Sequence, residues 1–258
     1  LRTSGLRLAP GESGPALPDF DPDVYWNNRG GKHYDESIAV PDYEVYLKYQ
    51  RKWLSGLVGK AKPKNLLDFG CGTGAMFACW EGVEKVTAFD RSYTMLHQSR
   101  VLNRRKGYEY EFRGPESDNR ARTPFNDNSF DFVAMATVLA HLRPDDFLAF
   151  HSELRRISRP GATWAIITAA TCDDSESAYM WDHDYGELLD IGVKVLDDHN
   201  FGPYRLIEAV YEGQRVSTSK GRISPIPGDC TLRNPEGGSE EQKVVSMAKV
   251  IKTWSGIK

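Results

Sequence analysis

Leu66-Leu67-Asp68-Phe69-Gly70-Cys71-Gly72-Thr73-Gly74 reads as a buried strand that runs into a glycine turn and on toward a helix. Glycines there permit positive φ and let the backbone close in on a ligand, while the helix start that follows offers unpaired N–H groups. A turn of this kind holds a nucleotide-like cofactor. Gly70, Gly72 and Ala75 also satisfy the dinucleotide fingerprint G-x-G-x-x-G/A, which alone points to NAD or FAD. Asp68 separates the alternatives. Its carboxylate, at the strand end two residues before the first glycine, repels a pyrophosphate held on the same turn and suits a cationic ammonium group. S-adenosylmethionine (SAM) carries such an ammonium and has no phosphate.

Outward from this turn, Val86-Thr87-Ala88-Phe89-Asp90 reads as a second buried strand. It ends in an acid about 20 residues on, where open α/β folds place a carboxylate for ribose hydroxyls. Strand signals at 65–69, 85–89, 108–112, 130–136 and 163–168 alternate with helical signals from residue 75 and over 93–103 and 145–158. Such alternation gives a parallel sheet with helices on both faces. Residues 186–199 read as a helix, and 205–211 and 215–219 as two strands around Glu212-Gly213-Gln214. Residues 225–238 read as a loop and 240–254 as a helix with apolar spacing at Val244, Val245, Ala248, Ile251 and Trp254. At the other end, residues 1–23 mix Gly, Pro and Ser without apolar periodicity and read as a flexible tail or linker. An aromatic and basic segment follows over 25–33, then a helical pattern in Tyr43, Tyr46, Leu47, Trp53, Leu54 and Leu57.

With Asp68 included, the glycine segment resembles motif I of the class I SAM-dependent methyltransferases. Thr123 to Val133 resembles that family's turn into its fourth strand, and Arg159-Pro160-Gly161-Ala162 its R-P-G-G turn before the fifth, with Ala162 in place of the last glycine. The likeness spans residues 64–170. It implies an α/β fold: a seven-stranded, mostly parallel, doubly wound sheet whose last strand is antiparallel, with an N-terminal helical cap over 24–62. Residues 24–258 would form a single domain. It also implies a cofactor site made of Asp68, Phe69, Gly70, Cys71, Gly72, Gly74, Asp90, Arg91, Met95, Ala136 and Thr137, and the carboxyl end of the fourth strand places Val138 at its border as well. One place departs from the pattern: where the family commonly has Gly-Asp-Ala, its acid meeting the adenine amino group, this chain has Gly114-Pro115-Glu116-Ser117-Asp118. Pro115 takes the acid's place, leaving Glu116 or Asp118 for that contact.

Methyl transfer from a sulfonium is an in-line displacement, so positioning and exclusion of water are most of the task. A hydroxyl acceptor also needs a base. His141, after the fourth strand in Thr137-Val138-Leu139-Ala140-His141-Leu142, is the first candidate, and it resembles a histidine found there in many small-molecule members. His183, flanked by Asp182 and Asp184, is the second. Tyr25, Trp26, Arg29 and Tyr34 are candidates for the acceptor pocket; anchoring of the cap to the core is the competing role of the two aromatics at 25 and 26. The acids Asp173, Asp174, Glu176, Asp182, Asp184 and Glu187 would suit a divalent cation such as Mg²⁺, although a solvated acidic loop is the commoner outcome and metal is not favoured. The acceptor expected is a hydroxyl of a small molecule or a sugar or glycan. A silent SAM-binding scaffold is the alternative, an N- or protein methyltransferase a weaker one, and a nicotinamide-dependent oxidoreductase the weakest.

Composition excludes little else. A net charge of −3 over 258 residues argues against a dedicated nucleic-acid face. No run of about 20 apolar residues could span a bilayer, and no apolar secretory core opens the chain, so the cytoplasm is the default. Cys71, Cys79, Cys172 and Cys230 show no metal-ligand pairing and are expected to be reduced. The first residue is Leu rather than Met, which fits processing, an engineered start or excision from a longer polypeptide; excision would make an adjacent domain possible.

Overall fold

Strand β1 (Asn65–Phe69) is buried along almost its whole length and occupies the middle of a seven-stranded sheet in the computed structural model. The structure describes residues 21–29, 34–35, 41–108, 110–116, 119, 122–169, 185–190 and 192–213. Strands β2 (Lys85–Phe89), β3 (Glu111–Arg113), β4 (Phe130–Ala136), β5 (Ser158–Ala169), β6 (Val193–Phe201) and β7 (Tyr204–Tyr211) complete the sheet in the order β3-β2-β1-β4-β5-β7-β6. The five strands from β3 to β5 pair in parallel, and β7 is antiparallel to both β5 and β6. The order reverses between β1 and β4, and the carboxyl ends flanking that reversal open the crevice in which such sheets bind ligands.

Helices α1 (Pro22–Arg29), α2 (Pro41–Ala61), α3 (Tyr93–Lys106), α4 (Pro144–Ile157) and α5 (Tyr185–Asp190) complete the described elements, with short 3-10 turns at Phe77–Trp80 and Leu139–His141. Alternate residues of each strand feed opposite faces, as a period of two requires. Leu67, Val133, Met135, Trp164 and Ile166 face Phe147, Phe150 and Leu154 of α4. Leu66, Phe132, Ala134, Ala165 and Ile167 face Leu54, Leu57 and Val58 of α2 and Leu96 of α3. The sheet is therefore doubly wound, as the alternation implied.

Four local expectations give way. The helix from residue 75 is only the turn Phe77–Trp80, because Trp80 is drawn under the sheet by its indole N–H bond to Asp68 (2.8 Å) and the left-handed Gly82 (φ 82°) turns the chain back toward β2. The helix over 186–199 stops at Asp190: Gly192 (φ 69°) breaks it, and Val193 and Val195 continue as the edge strand β6. The closing hairpin therefore pairs β6 with β7 around Gly202-Pro203, not 205–211 with 215–219; residues 215–219, like the loop 225–238 and helix 240–254, lie outside the described residues. Finally, Asp21 to Asp23, read as tail, belong to α1 and its start, where the Asp21 side chain accepts from the Asp23 N–H (2.9 Å). No helix among the described residues is long and apolar enough to cross a membrane.

Candidate active site

The glycine turn takes its shape from three left-handed glycines, Gly70, Gly72 and Gly74. A side chain at Gly70 would strike Val138, whose Cγ2 lies 2.3 Å from where a Cβ would stand. The turn after β1 and the turn after β4 thus touch directly, through a position that only glycine fits. The backbone at Thr137 is also left-handed (φ 58°), an outlier for a β-branched residue; its N–H is anchored on the Ile167 carbonyl (2.7 Å). This bend carries the chain into the 3-10 turn that bears His141.

Asp90 closes the other side. Its two carboxylate oxygens accept the N–H groups of Gly72 and Ser92, each at 2.8 Å, so the acid after β2 and the glycine turn hold each other. Each oxygen keeps a lone pair for a further donor. Burial pushes the Asp90 carboxyl up to about 6, eased by those two N–H bonds and aggravated by Asp23. Asp68 is more deeply placed: burial pushes it to about 7 against the favourable bond from Trp80.

Helix α1 lies over this corner. Arg91 grips the Asp23 carboxylate with Nε and Nη2, both at 3.1 Å. The Asn27 side chain accepts the Tyr93 N–H at the start of α3 (2.9 Å), and the Trp26 carbonyl accepts the Ser92 hydroxyl (3.2 Å). Farther along the cap, Asp35 accepts the Thr73 hydroxyl of the glycine turn (2.6 Å). Between these fastenings sits an open pocket. Phe69, Gly70, Gly72, Phe89, Asp90, Arg91 and Met95 line its inner side. Ala136, Thr137, Val138, His141 and Leu142 line the β4 side, and Asp23, Trp26 and Tyr34 the cap. Burial and the neighbouring phenols Tyr43 and Tyr204 raise the Tyr34 phenol above its ordinary value.

Of the sequence-predicted cofactor residues, Phe69, Gly70, Gly72, Asp90, Arg91, Met95, Ala136 and Thr137 meet in this one pocket, with Trp26, Tyr34 and His141 from the acceptor and base candidates. Asp68, Cys71 and Gly74 do not line it: the first two are buried behind the turn, and Gly74 packs toward Phe77. Cys71 and Cys79 carry free thiols. Glu116 is solvent-exposed and faces Arg113 (3.6 Å); Asp118 lies outside the described residues. Tyr25 packs edge-on against Trp26 (4.9 Å). The Arg29 side chain, His183 and the acidic stretch 173–184 lie outside what the structure describes, and among the described residues no group of three His, Cys, Asp or Glu gathers as a metal site. Val138, expected beside the cofactor, also lines the pocket, whereas sequence reasoning missed Asp23, Phe89 and Leu142. Phe89 flanks a motif residue and was within reach; Asp23 owes its place to a partner 68 residues away and had no local signal.

Residues 67–166 match the family model described as a methyltransferase domain, over the same strands, glycine turn and β4 bend that build the pocket. Residues 67–166 form a domain similar to the class I, Rossmann-like SAM-dependent methyltransferase family. Within it, the demethylmenaquinone methyltransferase of Listeria welshimeri is 31% identical over 140 residues, 52% of this chain and 56% of the relative. Malonyl-(acyl-carrier protein) O-methyltransferase of Pseudescherichia vulneris is 30% identical over 147 residues, 55% of each chain. The chain thus spans about half the length of the curated relatives it matches. Among solved structures, the PH0226 protein from Pyrococcus horikoshii OT3 shares the fold with a TM-score of 0.56 at 18% identity, over 70% of this chain and 99% of that one.

The pocket fits the donor that the family implies. Its floor is a glycine turn on which a Cβ at position 70 would collide, and Asp90 presents half-satisfied oxygens at its edge. The aromatic and apolar side chains Phe69, Phe89 and Met95 offer a surface for a planar base.

Proposed function

We propose that this protein is an enzyme that moves the methyl group of SAM to a hydroxyl of a small molecule or of a sugar or glycan, with His141 as general base. One observation carries the reading: His141, on the β4 side, lines the same pocket as Gly70, Gly72 and Asp90. Donor grip and base thus face one pocket. Asp90 would take the ribose hydroxyls on the lone pairs left by Gly72 and Ser92, and Arg91, already on Asp23, would keep the cap closed beside it. Asp68, behind the turn, would act on the donor's ammonium through the field of its charge rather than by contact. SAM, when bound, supplies a methyl group on a sulfonium, which needs no metal to leave. His141 would accept the acceptor's hydroxyl proton as the oxygen gains the methyl, while Trp26, Val138 and Leu142 exclude water.

The relatives' names cover a quinone precursor and an acyl carrier, so the acceptor is to be found by assay. Isotopically labelled SAM tested against sugars, phenols and quinols should reveal a methylated product. H141Q should then lower turnover by about 10²–10⁴-fold while SAM affinity stays within a factor of a few. A near-normal rate in H141Q would remove the base role from His141, and His183 would be the next residue to test.

A further inference from the structure

Trp26 joins the two walls of the pocket. Its backbone belongs to the donor side, where its carbonyl takes the Ser92 hydroxyl and its neighbour Asn27 takes the Tyr93 N–H. Its indole reaches the other side and meets the His141 imidazole edge to face, ring centroids 4.9 Å apart at 70°. Two further rings hold that indole in place, Tyr25 at 4.9 Å and Tyr34 at 5.8 Å, both nearly perpendicular to it. His141 itself stands on a single 3-10 turn, with backbone bonds from His141 N to Val138 O (2.9 Å) and from Leu142 N to Leu139 O (3.1 Å). One turn fixes a Cα, and the orientation of the ring depends on side-chain contacts, of which the Trp26 indole is one.

We propose that Trp26 is a positioning residue that holds the His141 imidazole in one orientation over the pocket, and that Asn27 fastens it there from outside the pocket. The inference rests on the reading of His141 as the base, since a base must point at the proton it takes. Asn27 is suited to the part: its Oδ1 binds the start of α3, its Nδ2 binds the Asp23 carbonyl (2.7 Å), and its own carbonyl takes the Thr94 hydroxyl (2.8 Å). It is not among the pocket's lining residues. A change there lets α1, and Trp26 with it, drift from His141. Misplacement of a reacting group by about 1 Å costs up to ~10²-fold in rate, so a residue outside the pocket would govern turnover.

The test is the order of the His141 ring in protein labelled with ¹³C-histidine and saturated with S-adenosylhomocysteine, which requires no acceptor. Nuclear relaxation should give the wild-type imidazole an order parameter near that of rigid backbone, about 0.85, and W26L one below about 0.6. W26F, which keeps an aromatic edge, should restore most of the order. N27A should loosen the ring in the same direction, and V24A, on the exposed side of α1, should not. An equally ordered ring in W26L overturns the proposal, and where W26L fails to fold, an equally ordered ring in N27A does so. Failure of the base reading is distinguishable: H141Q would then methylate at a near-normal rate while the wild-type His141 ring remained ordered by Trp26.

Discussion

Replacing Gly70 by Ala should cost more than a surface glycine would, and the cost should fall when Val138 is trimmed with it. At φ +70° an alanine is strained by about 1–2 kcal/mol. Its Cβ would also stand 2.3 Å from Val138 Cγ2 and 2.9 Å from Cγ1, and crowding of a packed site adds about 1–3 kcal/mol. G70A alone should therefore lose about 2–5 kcal/mol. V138A removes both offending carbons and leaves Cβ at 3.2 Å, a contact the neighbour can yield. In the double variant the crowding part should disappear and the backbone part remain. Denaturant unfolding of wild type, both single variants and the double variant gives a cycle whose coupling should be about 1–3 kcal/mol, favouring the pair. Additive losses, or a G70A that unfolds like the wild type, would refute the direct contact between the β1 and β4 turns. Since both residues line the pocket, G70A should also weaken SAM binding.

Acidity should act on the free and donor-bound protein in opposite senses. Burial holds Asp68 at about 7 and Asp90 at about 6, above the ordinary 3.8, so the folded chain keeps protons that the unfolded chain has released. Their contribution to stability is fully present below 3.8 and is lost as the pH rises through 6 and 7. The melting temperature of the donor-free protein should thus climb as the pH is lowered from 8 toward 5.5. SAM affinity should weaken over the same interval, with proton release on binding visible by calorimetry in two buffers; an affinity flat across it would contradict the use of charged carboxylates. Glu153 anchors the chain before β4 to α4 by accepting Thr123 N (2.7 Å) and bonds from Arg122 (3.0 Å) and Arg156 (2.6 Å). E153A removes those bonds from a buried carboxylate, but Arg156 keeps Asp127 (2.7 Å) and Arg122 is half exposed, so it should cost about 1–3 kcal/mol on unfolding; no loss would show the cluster to be incidental.

The sequence made the sheet legible where its residues obey a strict pattern. Leu66-Leu67-Asp68-Phe69 and Phe130 to Ala136 are apolar runs bounded by turn residues, and both strands begin and end where the pattern stops. It was less legible where tertiary contacts override local preference. Phe77 to Trp80 has helical character, yet the pull of Trp80 onto Asp68 and the Gly82 bend cut it to one turn. Residues 193–201 are mostly exposed, so they carry no buried period to distinguish strand from helix, and the Gly202-Pro203 punctuation was the signal to use. In the site, Asp90 and the glycine turn were visible because they sit close in sequence to the strands that place them. Asp23 and Asn27 were not, because what defines them is a partner 65 to 68 residues away, and no local pattern encodes a pairing of that separation.

Titration of SAM into wild-type protein and D90A by calorimetry is the most direct measurement of whether the glycine turn and its facing acid form a donor site. Removing two charge-assisted hydrogen bonds to a ribose is expected to cost about 1.5–3 kcal/mol, a roughly 10- to 150-fold rise in Kd. Saturable binding to the wild type with that loss in D90A is the expected result; equal affinity in the two proteins, or no binding to the wild type, would contradict it.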